Sequence, residues 1–416
     1  MLHKQKQKTS SLTIVVKVGT SSICDEVTHF PLLGNLSLMV ETILKLKAMG
    51  HRVVLVTSAA IGTGLRRLNL PSKPKKLAQI QSEIAVAAVG QGRLMSLYDD
   101  LFGQFNQPVA QILLTRNDLA DRSQYLNAVN CLEELLAMGV VPIVNENDTI
   151  SVSEIRFGDN DTLSAITAGM VKADYLFLMT DVDCLYTDNP RTNSNAKPVF
   201  IVDDIATLKE QVTVSSPGTS LGTGGMVTKL IAADLATAAG VTTIITRGST
   251  PQNIIAIVSA LHSPSPSSSS ADVAATATAA PLHTRFVAKP NPLVDRKWWI
   301  LHGLHTAGTI YVDAGCVRAL KAQQRSSLFA AGIVHVEGSF VAQQSARVVH
   351  ERVDPETGKV VEQIEVGKGL VNYSSMEIAR IKGCKSSEIE GILGYADAEC
   401  VVHRDNMTIT GKRAEE

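Results

Sequence analysis

The sequence holds 416 residues, of which 45% are hydrophobic and 19% charged, with a formal net charge of −1. That length suits two domains, each able to bury a sizeable core, and the composition excludes an intrinsically disordered chain. The near balance of charge excludes a general field drawing the molecule to nucleic acid or an anionic membrane, so any RNA contact would have to be local.

The first residues, MLHKQKQKTSS, are basic, and Lys17 interrupts the apolar run Leu12 to Val16 before it can form a signal-peptide core. No stretch approaches the roughly 18 apolar residues that cross a bilayer. Cys24, Cys131, Cys184, Cys316, Cys384 and Cys400 lack CxxC spacing, which argues against a zinc site or a disulfide framework. A soluble protein of a reducing cytoplasm is expected.

In chain order, strands are predicted at Leu12 to Val18, Arg52 to Thr57, Pro108 to Leu114, Val140 to Val144, Tyr175 to Thr180 and Val241 to Thr246. Most are apolar throughout, as in a mainly parallel sheet covered on both faces. Leu36, Val40, Ile43, Leu44 and Lys47 recur at helical spacing and stop at Gly50, and Tyr125 to Met138 repeats that plan before Gly139. The expected fold class is α/β, a three-layer α/β/α domain over residues 10–260, whose active residues sit at the carboxyl ends of the strands. Residues 263–281 are rich in Ser, Ala, Pro and Thr and read as a linker or insertion. Short strands punctuated by Gly and Asp then predict a small β-rich domain over residues 285–416.

Lys17 closes the first strand and is followed by Gly19, Thr20 and Ser21, a loop whose amides suit an anion, although a lysine beside a turn is also commonly just solvated. TSAAIGTG (Thr57 to Gly64) ends the second strand in small residues, which either admit a ligand, with Ser58 on the substrate, or simply pack tightly. VPIVNENDTI and EIRFGDNDTLSA bring Asn145, Glu146, Asn147, Asp148, Asp159, Asn160 and Asp161 to a strand end and a helix start. One such residue is explained by helix capping, but seven suit the ammonium and carboxylate of an amino acid or the positioning of lysines. A calcium loop is discounted because DNDTLS lacks the EF-hand glycine and terminal glutamate. GTGGMVTKL (Gly222 to Leu230) is a glycine run opening a helix, of the kind that cradles phosphates, without the GK[ST] of a Walker A loop.

Together, VVKVGTSS, VTSAAIG, AAVGQ, LLTRNDLADRSQYLNA, VPIVNENDTI, FGDNDTLSA, TDVDCLYTDNPR and GTGGMVTKL resemble the amino-acid kinase family, and within it the glutamate 5-kinases. GTIYVDAGCVRAL, SLFAAGIVHVEGSF, EIARIKGCKSSEIEGILGY and VVHRDNM resemble the PUA domain that many of them carry.

The resemblance implies ATP with Mg²⁺, the nucleotide bound by Lys17, Thr180, Asp181, Thr223, Gly224, Gly225, Met226, Val227, Thr228 and Lys229. It implies glutamate bound by Ser58, Asp148 and Asn160, with Lys17 and Lys229 as catalytic cations oriented by Asp161. No metal-ligand cluster is evident, so Mg²⁺ is expected to arrive on the nucleotide. The resemblance further implies proline as a feedback inhibitor, a homo-oligomer, and a separate reductase to consume the product. Ala59 and Cys184 stand where the family usually has glycine.

The rivals are another amino-acid kinase, acting on aspartate, acetylglutamate, carbamate or a nucleotide, and an RNA-binding or regulatory protein on a kinase scaffold. Residues 285–416 carry no basic run or aromatic platform to support the latter, and Trp298 and Trp299 read as packing residues.

Overall fold

The computed structural model describes residues 11–70, 79–115, 118–119, 121–150, 160–205, 207–208, 225–262, 280–290, 297, 299–304, 306–322, 326–353, 360–396 and 398–410. The chain divides into two compact units, residues 1–292 and 293–416.

The first unit runs β1 (Thr13–Val18), α1 (Leu33–Ala48), β2 (Arg52–Thr57), α2 (Ala60–Arg67), α3 (Gln79–Gly103), β3 (Val109–Leu114), α4 (Arg122–Ala137), β4 (Val141–Glu146), α5 (Asn160–Met170) and β5 (Tyr175–Thr180). The short β6 (Leu185–Tyr186), β7 (Pro198–Val199) and β8 (Ile201–Val202) follow, then α6 (Met226–Ala238), β9 (Thr242–Arg247), α7 (Asn253–His262) and β10 (Thr284–Phe286). The sheet order is β3-β4-β2-β1-β5-β9-β10-β8. From β3 to β9 every neighbour is parallel, while β10 lies antiparallel to β9.

Apolar side chains on both faces explain why these strands lie inside the unit: all residues of β1 and β4 are buried. The helix ends follow from their glycines, since Gly50 and Gly139 take the left-handed conformation (φ 93° and 77°) that closes α1 and α4 without a Cβ clash. Strand alternation then sorts the faces. Ile14, Val16 and Val18 belong to the core beneath α1, α3 and α7, so Val15 and Lys17 face the other side of the sheet, where α5 lies against β1, β2, β4 and β5.

Thr284–Phe286 pairs antiparallel with β9 in the sheet of the first unit. Three residues are too few to show a periodicity, and only pairing with β9 reveals the strand. The Ser/Ala/Pro-rich stretch lies outside the described residues over 263–279.

The second unit is built on a five-stranded sheet of β11 (Thr306–Val312), β12 (Ile333–Gly338), β13 (Ser345–Val353), β14 (Val360–Leu370) and β15 (Met407–Ile409), ordered β12-β11-β13-β14-β15. Its core includes Ile310, Val348, Val366, Val402 and Met407. A helix over Ser375–Ile381 packs on it, started by a capping box in which Ser374 Oγ accepts from the Glu377 amide and the Glu377 carboxylate accepts from the Ser374 amide. Trp299 is buried, and Trp298 lies outside the described residues. Among the described residues no helix is long and apolar enough to cross a membrane.

Candidate active site

The carboxyl ends of β1, β2, β4 and β5 meet the first turns of α5 and α6. Asp161, second residue of α5, is completely buried. Its Oδ1 is 2.6 Å from Lys17 Nζ and its Oδ2 is 3.2 Å from Lys229 Nζ, with both lysine side chains less than a tenth exposed. Thr228 Oγ1 donates to Asp161 Oδ2 at 2.8 Å. Burial alone would raise the Asp161 pKa, but the charges of Lys17 and Lys229 outweigh it and hold the carboxyl below its ordinary range. Asp161 thus sets two buried ammoniums side by side, a pairing that suits an anionic ligand.

The start of α6 adds amide donors to the same place. Gly225 is its extended N-cap, and the Gly225 N–H donates to Thr228 Oγ1 at 3.0 Å. The start of a helix is a setting that favours phosphate oxygens. Gly19 lies beside Lys17: a Cβ there would sit 3.7 Å from Lys17 Nζ. Gly248 fits close against the loop after β1, where a Cβ would fall 2.2 Å from Ser22 Oγ.

The end of β2 carries Ser58, which is buried. Its Oγ accepts from Asn160 Nδ2 at 3.0 Å, and the same Nδ2 donates to Asn145 Oδ1 at 3.1 Å. Three strand and helix ends thus converge on one amide. The Asn160 Oδ1 is buried and has no hydrogen-bond partner among the described residues. Asp148 stands half-buried on the turn that leaves β4, three residues beyond Asn145.

Ala59, which follows Ser58, takes φ 80° and ψ 14°, left-handed backbone that a non-glycine residue enters at a cost. The helix that follows, α2, lies against α3. A Cβ on Gly64 would come within 2.0 Å of the Val86 carbonyl oxygen, and one on Gly90 within 1.8 Å of the Ala60 carbonyl oxygen. Cys184, the other departure from glycine, is buried without a positive φ, and burial pushes its thiol up to about 11.

At the end of β5, Thr180 Oγ1 donates to Asp181 Oδ1 at 3.0 Å, and Arg191 Nη2 is 2.6 Å from Asp181 Oδ2. Arg247 grips Asp183 through both Nε and Nη2, at 2.5 and 2.8 Å.

Of the residues singled out in the sequence, Lys17, Asp161, Thr228 and Lys229 form one cluster, and Ser58 and Asn160 a second one residue away along α5. Gly225, Met226 and Val227 open α6, while Thr180 and Asp181 border the site at β5. Thr223 and Gly224 lie outside the described residues. Asn145 was visible as one of seven polar residues, Arg191 as the last residue of TDVDCLYTDNPR, and Arg247 carried no signal beyond its charge.

Residues 12–247 match the amino acid kinase family, and residues 308–393 match the PUA domain. The chain belongs to the amino acid kinase family. Its likeness narrows further: a protein of Schizosaccharomyces pombe named as a probable glutamate 5-kinase is 53% identical over 412 residues, spanning 99% of this chain and 96% of that one. Glutamate 5-kinases of Rippkaea orientalis and Cyanothece sp. are 46% and 48% identical, each match covering 96% of this chain and 99% of theirs.

Proposed function

We propose that this chain is a glutamate 5-kinase, transferring the γ-phosphoryl group of ATP to the side-chain carboxylate of L-glutamate to give L-glutamyl 5-phosphate, the first step of proline biosynthesis. The observation that carries the reading is the Lys17–Asp161–Lys229 cluster set beside the Ser58–Asn160 pair. The near full-length likeness to glutamate 5-kinases supports the choice of acceptor.

The acceptor carboxyl, with a pKa of about 4.3, is already an anion at neutral pH and needs no general base. The barrier is electrostatic: a carboxylate approaches a phosphoryl group that is itself anionic. Lys17 and Lys229 neutralise that approach and the charge on the departing ADP, and Asp161 holds both ammoniums in place. Ser58, Asn160 and Asp148 bind the amino acid. Thr180 and Asp181 border the nucleotide, and residues 223–229 close over its phosphates.

The paired ammoniums of the cluster suit a polyphosphate. Among the described residues no group of three or more His, Cys, Asp or Glu could hold a metal ion, and both Asp161 oxygens face lysines. Mg²⁺ fits this reading as part of MgATP, where it spreads the phosphate charge. A labile acyl phosphate requires a reductase to consume it. Feedback inhibition by proline, a homo-oligomeric state and a cytoplasmic location belong to the same reading and rest on the family resemblance.

The test is ATP turnover with glutamate, aspartate, acetylglutamate or no acceptor, trapping acyl phosphate as the hydroxamate, with and without proline. Hydroxamate formed with glutamate alone is the expected result. Turnover with a different acceptor would replace the substrate, and no turnover with any of them would defeat the reading.

A further inference from the structure

We propose that Gln91, on α3, is a positioning residue that holds the Asn160 amide with its oxygen turned to the α-ammonium of the amino-acid substrate. The proposal deepens the glutamate-kinase reading and rests on it.

The argument follows the direction of each hydrogen bond. Asn145 is 1% exposed, so both ends of its amide need partners. Its Oδ1 accepts from the Glu146 backbone N–H at 2.9 Å, a donor that cannot change sense. Its Nδ2 must then point the other way, and it donates to Gln91 Oε1 at 2.8 Å. With the Asn145 amide fixed, its Oδ1 receives Asn160 Nδ2 at 3.1 Å, and the second hydrogen of that Nδ2 goes to Ser58 Oγ at 3.0 Å. Both donors of Asn160 are spent, so its Oδ1 is left as an acceptor, buried and without a partner among the described residues. Ser58 Oγ, having accepted, keeps its own hydrogen to donate. The pair presents one acceptor and one donor side by side, matching the ammonium and α-carboxylate of a zwitterion.

Gln91 is the far anchor of this chain, and its backbone is placed by contact. Gly90, its neighbour, lies so close to the Ala60 carbonyl that no Cβ fits between them. This ties α3 to the turn that carries Ser58. AAVGQ thereby gains a physical reading: the glycine sets the approach of the helices, and the glutamine closes the amide relay.

The test compares wild type with Gln91→Met, which keeps the side-chain length but has no strong acceptor, and Gln91→Glu, which keeps the acceptor. Three quantities are read: KM for glutamate, KM for ATP, and the competitive inhibition constant of glutarate, the same dicarboxylate without the ammonium. In Gln91→Met the glutamate KM is expected to rise about tenfold, the loss of one buried hydrogen bond, while ATP KM and glutarate inhibition change less than about twofold. Gln91→Glu restores glutamate KM to within about threefold of wild type by the same hydrogen-bond logic. If Gln91→Met does not fold, Gln91→Asn, one methylene too short to reach Asn145, replaces it. An equal loss of glutamate and glutarate affinity, or an unchanged glutamate KM, would overturn the role of Gln91 while leaving the kinase reading intact. Absence of glutamate turnover in the wild type would remove the reading itself.

Discussion

Replacing Asp161 by asparagine isolates the electrostatic centre of the molecule. The change preserves shape but withdraws a carboxylate charge that faces Lys17 Nζ at 2.6 Å and Lys229 Nζ at 3.2 Å in a position with no solvent exposure. Removing one partner of a buried pair costs about 3–5 kcal/mol, because the remaining charge is stranded. Here two ammoniums lose the same carboxylate, so the upper part of that range applies. At about 2–4 °C per kcal/mol for a domain of this size, the kinase unit should melt roughly 10 °C or more below wild type. Far-UV circular dichroism on the full chain reads the transition. The chain's two tryptophans, Trp298 and Trp299, both fall in the second unit, so their fluorescence follows that unit separately. Inorganic tripolyphosphate should recover more of the lost melting temperature in Asp161→Asn than it adds to wild type, since it supplies the missing counter-charge. A fall of under about 1 kcal/mol, or equal stabilisation of both proteins by tripolyphosphate, would refute the claim that this carboxylate neutralises the lysine pair.

Lys229→Met should lower kcat by about 10²–10³ with little change in glutamate KM, as expected of a charge that acts on the transition state, and steady-state hydroxamate assays separate the two. Ala59→Gly relieves left-handed strain of about 1–2 kcal/mol and adds chain entropy of about 0.5–1 kcal/mol, so urea denaturation should show a gain of about 0.5–1 kcal/mol. The depressed pKa of Asp161 fixes the sign of an acid effect: its contribution to stability is fully present above the unfolded value of about 3.9 and is lost as pH falls toward the native value. The stability gap between wild type and Asp161→Asn, measured by denaturant titration, should therefore narrow as pH drops below about 4.

The central strands were legible in the sequence because both their faces are buried, so β1, β4 and β5 read as mostly apolar runs without any partner being known. Gly50 and Gly139 marked helix ends through a purely local backbone need. By contrast, β8 and β10 span two and three residues and exist only through pairing. Asp161 sat in a polar run that suited either an amino acid or the positioning of lysines, with its role against Lys17 and Lys229 implied only by the family resemblance. Its complete burial depends on lysines 144 residues before it and 68 after it, a distance that no periodicity encodes. Asn145 and Gln91 form a hydrogen bond across 54 residues of sequence, so neither could announce the other. Gly64 and Gly90 likewise reveal their purpose only when α2 and α3 are side by side.

The position of β1 has a consequence during synthesis on the ribosome. This strand, wholly apolar but for Lys17 and its first threonine, lies between β2 and β5. Its neighbour β2 emerges soon after it, but the Asp174 carboxylate that receives the Thr13 amide, and the strand that follows, come 161 residues later. At about 5–20 residues per second, one edge of the strand stays open for about 10–30 s. During that interval the nascent chain exposes an unpaired hydrophobic edge of the kind that templates aggregation, so a trigger-factor-like or Hsp70-like holdase has a defined window in which to act.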